Sequence, residues 1–187
     1  MRVEQYAPRW HGAVLALANE VLGEGYFVRP SEVAGAPGAA LLLGQENETL
    51  VCFAHGSVLP ENGLRDHLEG QLPELPDEIA AADRDGALGV IQAAAVSPAH
   101  RRKGFGSSII SVLHDRLVGL GADKLIVTFK RAQNVPHVDG MMGKLGFEPW
   151  QRLPSFWRKR CDAGEFKCAD RMDGCACEAL LYRKTVF

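Results

Sequence analysis

The chain has 187 residues, 47% hydrophobic and 24% charged, with a formal net charge of −2. That balance suits one domain over residues 1–187 with a core of its own, and a near-neutral total gives no case for nucleic-acid binding. No apolar run approaches membrane-span length, and Met1 to Tyr6 lacks the apolar centre of a signal peptide, so the expectation is a soluble cytoplasmic protein with no membrane partner.

Arg2 to Tyr6 alternates like a strand. Trp10 to Leu22 carries Val14, Leu15, Leu17, Ala18, Val21 and Leu22 at helical spacing and stops at Gly23 and Gly25. Pro30 to Val33 opens a short helix. Ala40 to Gly44 and Thr49 to Val58 read as two strands joined at Glu46-Asn47-Glu48. Cys52 within the second strand reads as a small buried hydrophobe. His55 beside it is either a strand-face histidine or a catalytic base. Residues 60–86 form a long, acidic-leaning connection with a helix expected at Asp77 to Ala82. A connection of this length is either a flap over a binding site or a solvated insertion.

Ala87 to Val96 is an almost wholly apolar strand, as a strand covered on both faces should be, and Gln92 is its exception. After it come Arg101-Arg102-Lys103-Gly104-Phe105-Gly106-Ser107 and a helical pattern from Gly104 to Leu120. Glycines here let the backbone approach a ligand, and a helix start offers unpaired N–H groups and a positive dipole end. Strand, basic glycine loop and helix start together make a site for a phosphate or pyrophosphate. Lys124 to Lys130 is the next strand. A helix is expected from Asn134-Val135-Pro136 to about Leu145, a strand bent at Pro154 over Phe147 to Trp157, and a last strand over Ala179 to Val186. This order implies an α/β chain with a mixed sheet and helices on both faces.

The string Val96-x-Pro98-x-x-Arg101-x-x-Gly104-x-Gly106 resembles the acetyl-CoA signature of the GNAT superfamily of N-acetyltransferases, V-x-P-x-x-[QR]-x-x-G-x-[GA], at every fixed position. Lys144-Leu145-Gly146-Phe147 resembles the family's K-x-G-F ending of a later helix. The resemblance runs from about Gly86 to Phe147. It implies a mostly antiparallel sheet of about six to seven strands that splays between the strand ending at Val96 and the strand at Leu125 to Phe129. Acetyl-CoA is the implied cosubstrate. Its pantetheine arm would pair with Ala94, Ala95 and Val96, and its pyrophosphate would rest on the loop from Arg101, Arg102 and Lys103 through Gly104, Phe105, Gly106 and Ser107. Asn134 matches, within one residue, an asparagine that contacts the pantetheine arm in the family. Its alternative role is a helix N-cap.

Two catalytic positions depart from the family pattern. Many members carry a Tyr before the K-x-G-F ending, as general acid to the CoA sulfur; Met142 stands there and cannot donate a proton. Many carry a Glu about four residues before the motif's Val; Gln92 stands there and is no base near neutral pH. Water, or a displaced group among His137, Asp139 and His55, remains to move the protons, with His137 favoured by its helix. The implied activity is acetyl transfer to a primary amine of a small molecule or peptide, by a monomer or homodimer. The alternative is an acyl-CoA-binding sensor with little catalysis.

Cys161, Cys168, Cys175 and Cys177 lie within seventeen residues, in a segment expected as a hairpin insertion over 158–178. Four cysteines this close fit a structural zinc site, free or redox-active thiols, or disulfides. The C-x6-C-x6-C-x-C spacing is not that of paired C-x2-C knuckles. Phe156, Trp157 and Phe166 near this segment are either ordinary packing or a surface for a partner.

Overall fold

A computed structural model describes residues 1–71, 75–131, 138–167 and 177–186. Seven strands form one sheet: β1 (Arg2–Gln5), β2 (Ala39–Glu46), β3 (Thr49–Val58), β4 (Leu88–Val96), β5 (Lys124–Arg131), β6 (Glu148–Leu153) and β7 (Glu178–Thr185). Their spatial order is β1-β2-β3-β4-β5-β7-β6. Among the described strands only the β4–β5 pair is parallel. Asn47 and Glu48 close the β2–β3 hairpin at φ 49° and 60°, the left-handed pair that a tight two-residue turn requires.

The helices are α1 (His11–Val21), α2 (Pro30–Gly35), α3 (Leu64–His67), α4 (Asp77–Arg84), α5 (Phe105–Gly119), α6 (Asp139–Lys144) and α7 (Arg158–Asp162). They cover both faces of the sheet. On one face Ile109, Ile110, Leu113 and Leu117 of α5 and Met142 of α6 pack with Ile91, Leu125, Val127 and Tyr182. On the other, Val14, Leu17 and Ala18 of α1 pack with Leu41, Leu43, Phe53, Ala93 and Ala95. On that same face, Leu64, Leu68, Ile79 and Ala82 from the 60–86 connection join Leu88, Val90, Ile126, Phe156 and Trp157. The described part of the connection is therefore packed into the core. Its α3 is pinned at the start, where the buried Asp83 carboxylate accepts the Leu64 N–H at 2.9 Å.

The expected strand from Phe147 to Trp157 is shorter. β6 stops at Leu153 because Pro154 has no N–H for the ladder and Ser155 turns at φ 54°. The chain then folds inward, and Phe156, Trp157 and Phe166 are core residues at 5%, 3% and 3% exposure. Lys167 makes an isolated antiparallel bridge to Glu24, with its N–H on the Glu24 carbonyl at 2.7 Å. Among the described residues, no helix is long and apolar enough to cross a membrane.

Candidate active site

Val96 ends β4, and the Ser97 N–H returns to the Val51 carbonyl at 2.9 Å. A 3-10 turn over Pro98–His100 then leads to Arg101, whose Nε donates to the Val96 carbonyl at 3.4 Å. Arg102 (φ 62°) and Gly104 (φ 83°) turn the chain through the left-handed region into α5. The Ser108 N–H bonds back to the Gly104 carbonyl at 3.0 Å, so the N–H groups before it are those a helix start leaves without an intrahelical acceptor. Arg101, Arg102, Lys103 and Gly104 are exposed, while Phe105, Gly106 and Ser107 are half-buried. A Cβ on Gly106 would meet Val96 at 3.5 Å and Met141 at 3.7 Å, so this helix end rests directly on the end of β4 and on α6.

The sheet opens beside this loop. β4 and β5 pair only from Leu88↔Lys124 to Ile91↔Val127, although β4 continues to Val96 and β5 to Arg131. The break coincides with a bulge on the other side of β4. Ala93 pairs with His55 and Ile91 with Gly56, so Gln92 is the extra residue. Gln92 and Ala93 consequently come to one face together, and the Gln92 amide donates to Ser57 Oγ at 3.0 Å.

A cavity of about 260 Å³ lies against that face, next to the opening. Its floor is Gln92, Ala93, His55 and Thr128; Tyr26, Phe27 and Val33 close one side, His67, Leu68 and Glu69 another, and Phe156, Trp157 and Arg160 the third. Burial pushes His55 down to about 4 and His67 to about 4, so both imidazoles are neutral at pH 7. Burial also raises the Tyr26 phenol. Thr128 Oγ1 is buried, with no hydrogen-bond partner among the described residues. Arg160 is held by Glu165 at 2.7 Å and lies 3.9 Å from Glu69.

The sequence profile of the Acetyltransferase (GNAT) family matches residues 19–147. The chain belongs to that family. No curated protein sequence matches it. Among solved structures it is similar to the ribosomal-protein-alanine N-acetyltransferase of Brucella melitensis, at 14% identity and TM-score 0.66, with all of both chains covered. It is also similar to the phosphinothricin acetyltransferase of Sinorhizobium meliloti, solved in complex with acetyl-CoA, at 13% identity and TM-score 0.66, over 99% of this chain and 88% of that one. The mixed, mostly antiparallel sheet expected from the GNAT resemblance is the sheet observed.

Within this GNAT domain the candidate residues separate clearly. Ala94, Ala95 and Val96 form the part of β4 beyond its last pair with β5. His55 and Gln92 both line the cavity. Met142, at 0% exposure, is a core side chain in the cluster that α5 also enters. Asp139 accepts the hydroxyl of Tyr182 at 2.5 Å, and Tyr182 is 2% exposed, which ties α6 to β7. His137 and Asn134 lie outside the described residues, as do Cys168 and Cys175. Cys161 and Cys177 are buried at 1% and 8% exposure. No group of three or more potential metal ligands forms among the described residues, which lend zinc no support. Cys52 is buried, its thiol pushed up to about 11 by desolvation, with Sγ 3.3 Å from Met1 Sδ.

Sequence reasoning missed His67 and the cavity walls at Tyr26 and Phe27. A lone histidine in an acidic connection carries no periodic or motif signal. An aromatic pair after a helix reads as packing until the loop is seen to fold over the sheet.

Proposed function

We propose that the protein moves the acetyl group of acetyl-CoA to a primary amine of a small molecule by direct attack, with donor and acceptor meeting where β4 and β5 part. The observation carrying this reading is the cavity itself. It lies against Gln92, Ala93 and Thr128, the first residues beyond the last β4–β5 pair.

In this reading the pyrophosphate rests on N–H groups of Gly104, Phe105, Gly106 and Ser107, and Arg101, Arg102 and Lys103 add charge-assisted contacts. The pantetheine arm lies along the open edge of Ala94, Ala95 and Val96 as an added strand. A backbone N–H of that edge stabilises the oxyanion. The acceptor nitrogen attacks the thioester carbon from the cavity. The N–C bond forms, the carbonyl re-forms, and the C–S bond breaks. The nitrogen's proton leaves to a neutral imidazole or a water in the cavity, and the thiolate leaves as the thiol. Of the residues singled out in the sequence, His55 and Gln92 border the cavity, and His55 is the one that can take a proton. Gln92 has no basic lone pair to offer and acts by position. His137 and Asn134 carry no step here.

The cavity volume favours a small acceptor over a folded protein surface. The named neighbours act on a ribosomal protein's alanine and on phosphinothricin, so the fold accommodates both kinds. Calorimetric titration of acetyl-CoA and CoA, followed by an acetyl-transfer assay over an amine panel, tests the proposal. Micromolar binding with transfer supports it. No binding to the folded protein rejects it, and binding without transfer to any amine favours the acyl-CoA sensor.

A further inference from the structure

We infer that the acceptor is a flat aromatic amine of about eight heavy atoms that binds uncharged, and that the His55 and His67 imidazoles take up its proton. This rests on the acetyl-transfer reading above. The walls supply the first part. Four aromatic rings, Tyr26, Phe27, Phe156 and Trp157, surround a space of about 260 Å³, room for roughly nine water-sized groups. A stem of methylenes would leave such rings unmatched, whereas a ring finds faces and edges to pack on.

Charge supplies the second part. An ammonium moving in beside the buried His55 and Thr128 side chains leaves water behind and needs a carboxylate to meet it. Among the described residues Glu69 is the one carboxylate lining the cavity, and it lies 3.9 Å from Arg160. Of the other described acidic residues in the connection, Glu78 is paired with Arg183 at 2.7 Å, and Glu61, Asp66 and Asp77 are exposed. Arg160 itself repels a cation. Apart from Glu69 and Arg160, the polar atoms offered inside are neutral: the imidazoles of His55 and His67, the Gln92 amide and the Thr128 hydroxyl, which has no partner among the described residues. Neither imidazole has a hydrogen-bond partner among the described residues, so their nitrogens remain available to an N–H in the cavity.

The chemistry is matched. Attack by a neutral arylamine forms the N–C bond and leaves a strongly acidic N–H on the tetrahedral intermediate. A weak base suffices to remove that proton, and burial makes both imidazoles weak bases. Thiolate departure then takes up a proton, and the imidazole returns to its neutral state.

The test compares 4-methylaniline, benzylamine and cadaverine as acceptors with the full chain and saturating acetyl-CoA. The first two match in size and differ in charge at pH 7. Expected is a kcat/KM for 4-methylaniline at least 100-fold above that for cadaverine. It should stay flat from pH 6.5 to 8.5, while that for benzylamine rises about tenfold per pH unit over this range. His67→Gln, on a short half-buried helix, should lower kcat for 4-methylaniline at least tenfold, with KM within twofold and acetyl-CoA affinity unchanged. Cadaverine equal to or better than 4-methylaniline at pH 7 overturns the inference and leaves the acetyl-transfer reading standing. So does a kcat untouched in both His67→Gln and His55→Gln. Loss of acetyl-CoA binding in the wild type instead sinks the underlying reading.

Discussion

The Gln92 side chain reaches back across the β4 bulge to Ser57, donating its amide to the Oγ at 3.0 Å. This bond holds the extra residue of the bulge in place on the cavity floor. Its loss should let the β4 edge shift without altering the pyrophosphate loop. Gln92→Ala is expected to lower kcat about tenfold, the scale of one hydrogen bond of ~1.5 kcal/mol. Steady-state kinetics beside acetyl-CoA calorimetry checks this, because affinity should stay within twofold.

Gly104 has open space where a Cβ would go, but a φ of 83°. Its constraint is therefore conformational. Gly104→Ala should cost about 1 kcal/mol of stability in urea unfolding. Gly104→Asp adds a negative charge beside the proposed pyrophosphate site, and should weaken acetyl-CoA binding at least 100-fold by calorimetry while the variant stays folded.

His55 links stability to acid. Its ordinary value is near 6.5 and its folded value about 4, lowered first by burial and then by His67. Between these values the unfolded chain binds a proton that the folded chain excludes. The stability contribution is thus complete above pH 6.5 and is lost as pH falls towards 4, by up to about 3 kcal/mol. Urea unfolding of wild type and His55→Leu across pH 7.5 to 4.5 should give a steeper acid loss in the wild type. His67, lowered in the same direction, leaves a residual slope in the variant. Parallel curves would contradict the assignment.

Gly56 lies opposite the bulge, where an added Cβ would come within 2.5 Å of the Val90 carbonyl oxygen and 3.0 Å of Leu117. Neither the strand backbone nor the core leucine can withdraw cheaply. Gly56→Ala should destabilise by about 3 kcal/mol, read as a lowered urea midpoint.

Much of the fold was legible because it is written in local periodicity. The bounds of β3, α4 and β5 fell within two residues of the pattern, and the loop between β4 and α5 announced itself by its glycines and cations. The cavity was not legible. Phe27, His67 and Trp157 come from three segments far apart in the chain, and nothing local marks that they converge on Thr128 and Gln92. The strand ending at Leu153 was misjudged for the same reason. Aromatic residues beyond Pro154 look like a strand's continuation, but their burial is decided by what lies across the sheet.

The strand order β5-β7-β6 carries a consequence for folding. β7 follows every other strand in the chain, yet it lies between two of them, bonded to β5 from Lys124↔Thr185 to Arg131↔Glu178 and to β6 from Glu148↔Arg183 to Leu153↔Ala179. Until residues 178–185 arrive, β6 has no strand partner to hold the Phe156–Trp157 corner that follows it on the β4–β5 face where it packs. This side of the cavity therefore depends on contacts between distant parts of the chain, a topology that slows folding. A chain cut before Glu178 would lose the Phe156–Trp157 side of the cavity and, with Tyr182, part of the core under α5, so the last strand serves both faces of the sheet.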